Sequence, residues 1–183
     1  TIEATAVRPD GRISDADLGL WSDECEAALA RTIEVLREIA PDVKIFIQLN
    51  HAGRKASTDP VTGTPMKPLQ GGWGTLAPSA IPFAEGWPTP KELLPNECEA
   101  IIDAFASAAQ RAVRAGVDGI MVHAAHGYLI HEFLSPLSNL RIDEYGGAID
   151  GRTRFGLNVL HRVKLSVPNN IAVGVREIGR AHV

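Results

Sequence analysis

The stretch VDGIMVHAAHGY, residues 117–128, predicts a buried β-strand that ends in a cluster of polar side chains. Its first half, residues 117–122, is a short and mostly apolar run with β-branched residues, which is typical of a buried strand. A helix is predicted immediately before it, capped at about Asn96 and closed by Gly116. The polar cluster from His123 to Tyr128 therefore follows directly at the carboxyl end of a strand.

The same alternation of helix and strand extends in both directions from this stretch. Upstream, Ser14 followed by Asp17 is typical of a helix start, and apolar residues then recur at three- and four-residue steps. Strands that alternate with helices run parallel and are joined by helical crossovers, which leaves doubly wound sheets and eight-stranded barrels as candidate folds. The predicted elements are the end of a strand over residues 1–7, a helix from Ser14 to Pro41, a strand over 43–47, the helix and strand of residues 96–122, a helix over 151–167 and a strand over 171–175.

Two features favour the barrel. No Gly-x-Gly-x-x-Gly pattern opens a helix, as a dinucleotide-binding sheet requires. Polar clusters follow successive strands, at Gln48–Lys55, His123–Tyr128 and Arg176, and barrel enzymes gather their chemistry at the carboxyl ends of strands. We therefore predict an α/β fold that is part of a (β/α)8 TIM barrel, roughly strands 2 to 5 with their helices. A complete barrel needs about 250 residues, so further sequence is expected on both sides.

Composition and local sequence restrict the partners and the compartment. The formal net charge is -4 and Lys and Arg are not clustered, so no nucleic-acid partner is expected. Apolar runs are shorter than the roughly 20 residues that span a bilayer, which predicts no membrane association and a cytoplasmic location. Cys25 and Cys98 are each flanked by glutamates, which raise a thiol pKa, so both are predicted to be unreactive, reduced cysteines. The Gly- and Pro-rich segment 50–95 is predicted to be a functional loop.

Chemistry is predicted at His123, His126 and Tyr128. Two histidines three residues apart at a strand end can turn both rings toward one small volume, where N–H groups suit an oxygen that gains negative charge. A tyrosine phenol is protonated at neutral pH and can donate. The same spacing also fits a zinc pair or two surface histidines, and spacing alone does not decide between these readings.

The longer string HAAHGYLIHEFLSPLSN, residues 123–139, continues into Arg141 and the segment DEYGG, residues 143–147. Together with motifs elsewhere, it resembles the Old Yellow Enzyme family of FMN-dependent ene-reductases, in particular the bacterial subgroup with two active-site histidines. The resemblance covers nearly all of residues 1–176 in order. The other matching motifs are EATA at 3–6, GRIS at 11–14, GLWS at 19–22, QLNHAGRK at 48–55, APSAI at 77–81 and RTRF at 152–155.

The resemblance implies a role for each of the three chemical residues. His123 and His126 match the pair that holds the substrate's activating oxygen, and Tyr128 matches the proton donor. The implied activity is reduction of activated alkenes, meaning α,β-unsaturated carbonyls and nitroalkenes, by NADPH or NADH through FMN. A homo-oligomeric parent is compatible with the resemblance.

Three further residues match cofactor-binding positions of the family. Gln48 matches the glutamine that binds the pyrimidine edge of the flavin, and its amide offers the donors and the acceptor that such an edge needs. Ala4 matches a small residue packed near the flavin. Arg176 matches an arginine beside the flavin that stabilises the anionic reduced ring. No metal site is implied, and His131 and Glu132 are interpreted as residues that orient the following segment.

The sequence departs from the family pattern at two places. Residues 148–151 are AIDG where the family has Ser-x-Glu-Asn, and the pattern breaks after Arg176. Residues 177–183 match one frame of a sequencing adapter, so residues 1–176 are predicted to be a partial FMN-binding barrel domain and residues 177–183 an artefact. Two alternatives stay open: a metal-dependent hydrolase on a TIM barrel that uses His123, His126 and Glu132, or a fragment inactive on its own.

Overall fold

The computed structural model describes residues 1–178, and residues 179–183 lie outside the described part of the chain. The prediction of an adapter-derived tail falls mostly on those residues and stays a prediction. The helices are α1 (Asp23–Ile39), α2 (Pro95–Ala115), α3 (Leu129–Leu134) and α4 (Ile149–Ser166). The strands are β1 (Ile2–Ala6), β2 (Phe46–Asn50), β3 (Leu76–Ala77), β4 (Lys91–Glu92), β5 (Gly119–His123) and β6 (Ala172–Arg176).

Four parallel strands form the main sheet, in the order β1-β2-β5-β6. Helices α1, α2 and α4 are the crossovers between neighbouring strands, so the strand order follows the chain order. Parallel strands joined in this way place all of their carboxyl ends at one edge of the sheet. The predicted parallel α/β arrangement is confirmed. Among residues 1–178, none of the helices is long and apolar enough to cross a membrane.

The core lies between the sheet and helices α2 and α4. Helix α2 buries residues at three- and four-residue spacing, including Ile101, Phe105 and Ala112, against the buried side chains of β2 and β5. Phe133 of α3 stacks on Phe155 of α4 with ring centroids 4.1 Å apart. Burying side chains of this size contributes about 1.5–3 kcal/mol each, so this layer fixes the positions of the strand ends.

The predicted start of the first helix at Ser14 is wrong. Helix α1 begins nine residues later in the sequence, at Asp23, and Ser22 is its cap, with its hydroxyl accepting from the Cys25 N–H at 3.4 Å. Asp17 instead accepts from the Ile13 N–H at 2.7 Å and from the Ser14 hydroxyl at 3.0 Å. An aspartate can make such short-range hydrogen bonds in a loop as well as at a helix cap. The Ser14–Asp17 pattern therefore did not distinguish a loop from a helix start.

The other element boundaries differ by smaller amounts. The predicted strands over 43–47 and 117–122 both start early, because the Asp118 carboxylate accepts from the Ile45 N–H at 2.8 Å and organises the segments before them. Both strands also extend further, into Asn50 and His123. Helix α2 begins at Pro95 rather than after Asn96, since proline at the first helical position needs no N–H partner. The short helix α3 was not predicted.

Arg141 lies in the segment after α3 and binds the long segment between β2 and α2 through hydrogen bonds. This segment holds the short parallel pair β3–β4. The Arg141 side chain is only 3% exposed, and its Nη1 donates to the carbonyl oxygens of Pro78 at 2.9 Å and Leu93 at 2.6 Å. Its Nε donates to Asp143 Oδ1 at 2.9 Å. One buried guanidinium thus satisfies two loop carbonyls and one carboxylate.

We expect Arg141→Ala to lower the free energy of unfolding of the full-length protein by about 3–5 kcal/mol, because it leaves buried polar partners uncompensated. Chemical denaturation followed by circular dichroism measures the change. The matched control is Arg31→Ala, on an exposed position of α1, which should change the free energy by less than about 0.5 kcal/mol. Equal, small effects of both variants would contradict the role of Arg141.

Candidate active site

The carboxyl ends of β2, β5 and β6 bring Gln48, His123 and Arg176 into direct contact. The Nδ1 atom of His123 lies 2.9 Å from Gln48 Oε1, and Arg176 Nη1 donates to the same oxygen at 3.2 Å. His123 and Arg176 are also paired across β5 and β6. His123 lies 75 positions after Gln48 in the sequence, and Arg176 lies 128 positions after it. The fold therefore brings three distant residues into one hydrogen-bonded group.

His126 and Tyr128 complete this group from the loop after β5. The ring centroids of His123 and His126 are 5.0 Å apart, and those of His123 and Tyr128 are 5.1 Å apart. The His126 and Tyr128 rings are 6.4 Å apart and nearly perpendicular. His126 and Tyr128 are half-buried, whereas His123 is buried. The three predicted chemical side chains share one small volume.

Burial sets the protonation states of His123 and Tyr128. Desolvation, helped by electrostatic repulsion from the neighbouring His126 and Arg176, lowers the pKa of His123 to about 4, so its ring is neutral at neutral pH. Burial raises the pKa of Tyr128 above its ordinary value, so the phenol keeps its proton. Tyr128 can therefore serve as a proton donor.

The hydrogen bonds also decide which nitrogen of His123 carries the proton. Gln48 Oε1 accepts from Arg176, so it is the amide oxygen, and His123 Nδ1–H must donate to it. The other nitrogen, Nε2, then carries a lone pair, and it is buried without a hydrogen-bond partner among residues 1–178. The sequence interpretation predicted that His123 donates an N–H to the substrate. For a neutral ring, that role requires the proton on Nε2, and the hydrogen bond from Nδ1 to Gln48 must then break.

Ala4 lies in an irregular part of β1. The register shifts between the Ile2–Ile47 and Thr5–Leu49 pairs, and Ala4 sits in that shift with φ of 48°. Positive φ is unfavourable for a residue other than glycine. The preceding Glu3 carboxylate is 3.3 Å from Arg176 Nη1, which links β1 to the group at the ends of the other strands. Ala4 is thus on the strand next to Gln48, in a strained bulge.

Asn50, at the carboxyl end of β2, is a buried polar residue that the sequence interpretation did not assign to the site. It is 1% exposed, and neither atom of its side-chain amide has a hydrogen-bond partner among the described residues. Leaving a buried polar group unpaired costs about 1–3 kcal/mol, so this position suits a polar ligand or water. The available signal was its spacing, because Asn50 follows Gln48 by two residues and shares its face of the strand.

His131 and Glu132 bind backbone groups. His131 Nδ1 accepts from the Gly127 N–H at 2.8 Å, and Glu132 Oε1 accepts from the Arg54 N–H at 2.9 Å. Burial raises the pKa of Glu132 well above its ordinary value. These contacts favour the predicted orienting role over the hydrolase alternative.

The sequence matches the NADH:flavin oxidoreductase / NADH oxidase family over residues 1–178. The chain belongs to this family. Among its relatives, it is 49% identical over 163 residues to the NADPH dehydrogenase of Clostridium acetobutylicum, covering 89% of this chain and 44% of that protein. It is 48% identical to the NADPH dehydrogenase of Bacillus subtilis, with the same coverage. The chain thus spans less than half the length of these relatives.

Solved structures of the family have the same fold. Morphinone reductase in complex with tetrahydroNAD superimposes with a TM-score of 0.78 at 32% identity, over 94% of this chain and 49% of that one. The old yellow enzyme homologue from Zymomonas mobilis gives a TM-score of 0.76 at 30% identity, over 93% of this chain and 48% of that one. The Old Yellow Enzyme resemblance and the prediction of part of a TIM barrel are confirmed.

Proposed function

We propose that the full-length protein is an NAD(P)H-dependent FMN oxidoreductase that reduces activated alkenes. The observation that carries this proposal is the convergence of His123, His126 and Tyr128 beside Gln48 and Arg176 at one edge of a family barrel. The relatives named NADPH dehydrogenase and the neighbour solved with tetrahydroNAD support a nicotinamide reductant.

The residues at the strand ends fit FMN. The amide nitrogen of Gln48 can donate to a pyrimidine edge, and its Oε1 becomes an acceptor for that edge once the amide turns from His123. Arg176 places a positive charge next to it. Within the described part of the chain, the buried side-chain amide of Asn50 has no hydrogen-bond partner, and Ala4 adds a small side chain on the neighbouring strand. When bound between these strand ends, FMN would supply the hydride transfer from the nicotinamide to the β-carbon of the alkene.

His123 and His126 hold the carbonyl or nitro oxygen of the substrate, where negative charge develops as hydride arrives. If the Gln48 amide turns from His123, Nδ1 can lose its proton and Nε2 can carry one, which creates the donor that this oxygen needs. Tyr128 gives its phenolic proton to the α-carbon and recovers it from solvent. One hydride and one proton thereby saturate one double bond.

The remaining assignments are also proposals. Residues 1–176 are part of the FMN-binding barrel domain, and the substrate is a small molecule. We also propose a cytoplasmic location, a compartment that keeps thiols reduced, and the free Cys25 and Cys98 are in keeping with it.

Cofactor content tests the proposal. The full-length protein is purified without added cofactor, its visible spectrum is recorded, and the released chromophore and any bound metal are identified. We expect about one FMN per chain and no stoichiometric zinc. A colourless protein that takes up no added FMN and contains zinc would support the hydrolase alternative instead.

A further inference from the structure

The backbone of His126 and Gly127, on either side of the peptide bond that joins them, is in an unusual conformation. His126 has φ of 59° and Gly127 has φ of 72°, so both residues occupy the left-handed region. Glycine tolerates this region, but a residue with a side chain pays about 1–3 kcal/mol for it. Such a conformation persists only where surrounding contacts impose it, and it sets the direction of the His126 ring.

Two side chains bind opposite ends of this one peptide group. The ammonium of Lys55 donates to the His126 carbonyl oxygen at 2.9 Å. On the other side, the Gly127 N–H donates to Nδ1 of His131 at 2.8 Å. Because the carbonyl and the N–H belong to the same planar group, the two bonds fix the rotation of that plane.

Lys55 is itself held firmly. It follows Arg54, whose backbone N–H donates to the buried Glu132 carboxylate at 2.9 Å. Gly53 has φ of 62° and lies so close to that carboxylate that a Cβ would overlap it, so the turn before Lys55 has little freedom. The ammonium lies 4.7 Å from the Phe83 ring centroid and 5.2 Å from that of Tyr128.

The placement of this ammonium joins the two groups proposed to do chemistry. It binds the backbone carbonyl of His126 and lies over the aromatic face of Tyr128, two residues later. A cation near an aromatic face contributes about 0.5–2 kcal/mol. Lys55 therefore restrains His126 and Tyr128 together, relative to His123 on the strand.

We propose that Lys55 is a positioning residue that sets the geometry of His126 and Tyr128 through the His126–Gly127 peptide, with His131 as the second support. This inference rests on the proposed function and goes beyond it, since it assigns a role to a lysine of the loop after β2. Without the ammonium, the peptide rotates toward a relaxed conformation and His126 leaves its place beside His123. Proton transfer and oxygen binding suffer, while reduction of the flavin does not.

The test compares Lys55→Met, Lys55→Arg and wild type in the full-length holoenzyme, with the two half-reactions measured separately by anaerobic stopped flow. We expect Lys55→Met to slow reoxidation of the reduced flavin by an enone about 10- to 100-fold, since small misplacements of reacting groups cost up to about that much. Flavin reduction by NADPH and flavin content should change less than about twofold. Lys55→Arg, which keeps a donor, should recover most of the rate.

Lys67→Met is the matched control, because Lys67 is an exposed lysine of the same loop segment. Nitrogen NMR of the imidazoles gives a readout that does not depend on turnover, and Lys55→Met should shift the His126 and His131 resonances whereas Lys67→Met should not. Unchanged resonances and an unchanged enone rate in Lys55→Met would overturn the proposal. A protein without flavin would refute the proposed function instead, and the NMR comparison would still test Lys55.

Discussion

Replacing Tyr128 with Phe is expected to slow alkene reduction by about 10²- to 10⁴-fold, the usual contribution of a positioned general acid. The phenol is half-buried 5.1 Å from His123, ring to ring, and its raised pKa keeps it protonated. Phe retains the ring and removes the hydroxyl group that carries the proton. Anaerobic stopped flow should show the loss in flavin reoxidation by an enone, with flavin reduction by NADPH nearly unchanged.

Tyr145→Phe is the control for this experiment. Tyr145 is a buried tyrosine whose hydroxyl donates to Glu99 Oε1 at 2.7 Å, and it packs against Phe133 in the core, away from the histidine pair. Loss of the Tyr145 hydroxyl should lower the free energy of unfolding and leave the rates of flavin reduction and flavin reoxidation unchanged. Equal losses in the two half-reactions of Tyr128→Phe would contradict the proton-donor role.

Replacing His123 with Ala is expected to lower kcat for the enone by about 10²- to 10³-fold, the range found when one donor to a developing oxyanion is removed. It also removes one hydrogen-bond partner of Gln48 Oε1 and leaves Arg176 as the other. Steady-state kinetics at saturating NADPH measure the change. His161→Ala is the control, because His161 is exposed on α4. A His123→Ala enzyme with wild-type kcat would exclude this residue from the oxygen site.

The pKa of His123 adds a condition to that experiment. Burial depresses it to about 4, so the neutral ring is favoured in the folded protein and protonates only as the pH falls toward that value. Between about pH 6 and 8 the charge of His123 stays constant, and enone reduction should show no step from this residue. The comparison of His123→Ala with wild type is therefore valid at one pH in that range.

The sequence was sufficient to predict the parallel strands and the positions of most site residues. Alternation of apolar runs with amphipathic helices implies the strand order, and polar residues at strand ends then fall together, as Gln48 and His123 do. The helix start at Ser14 failed because Asp17 makes the same short-range bonds in a loop as in a cap. Local patterns cannot separate these two outcomes.

Two features of the site depend on contacts that no local pattern contains. The proton position on His123 follows from Arg176 donating to Gln48, which joins side chains from three strands. The restraint of the His126–Gly127 peptide needs a lysine 71 residues away in sequence. Both features depend on contacts between distant segments of the folded chain. The first is the position of a proton on His123 and the second is the orientation of a peptide group, and neither follows from residue identity alone.

The most direct test of the account is an anaerobic titration of the purified full-length protein. NADPH is added until the yellow flavin absorbance is bleached, and an enone such as cyclohexenone is then added without oxygen. The account predicts that the flavin absorbance returns in proportion to the enone added and that one saturated ketone is formed for each flavin reoxidised. Flavin that is bleached by NADPH but stays reduced with cyclohexenone and with a nitroalkene would contradict the assignment of the histidine pair and Tyr128 to alkene reduction.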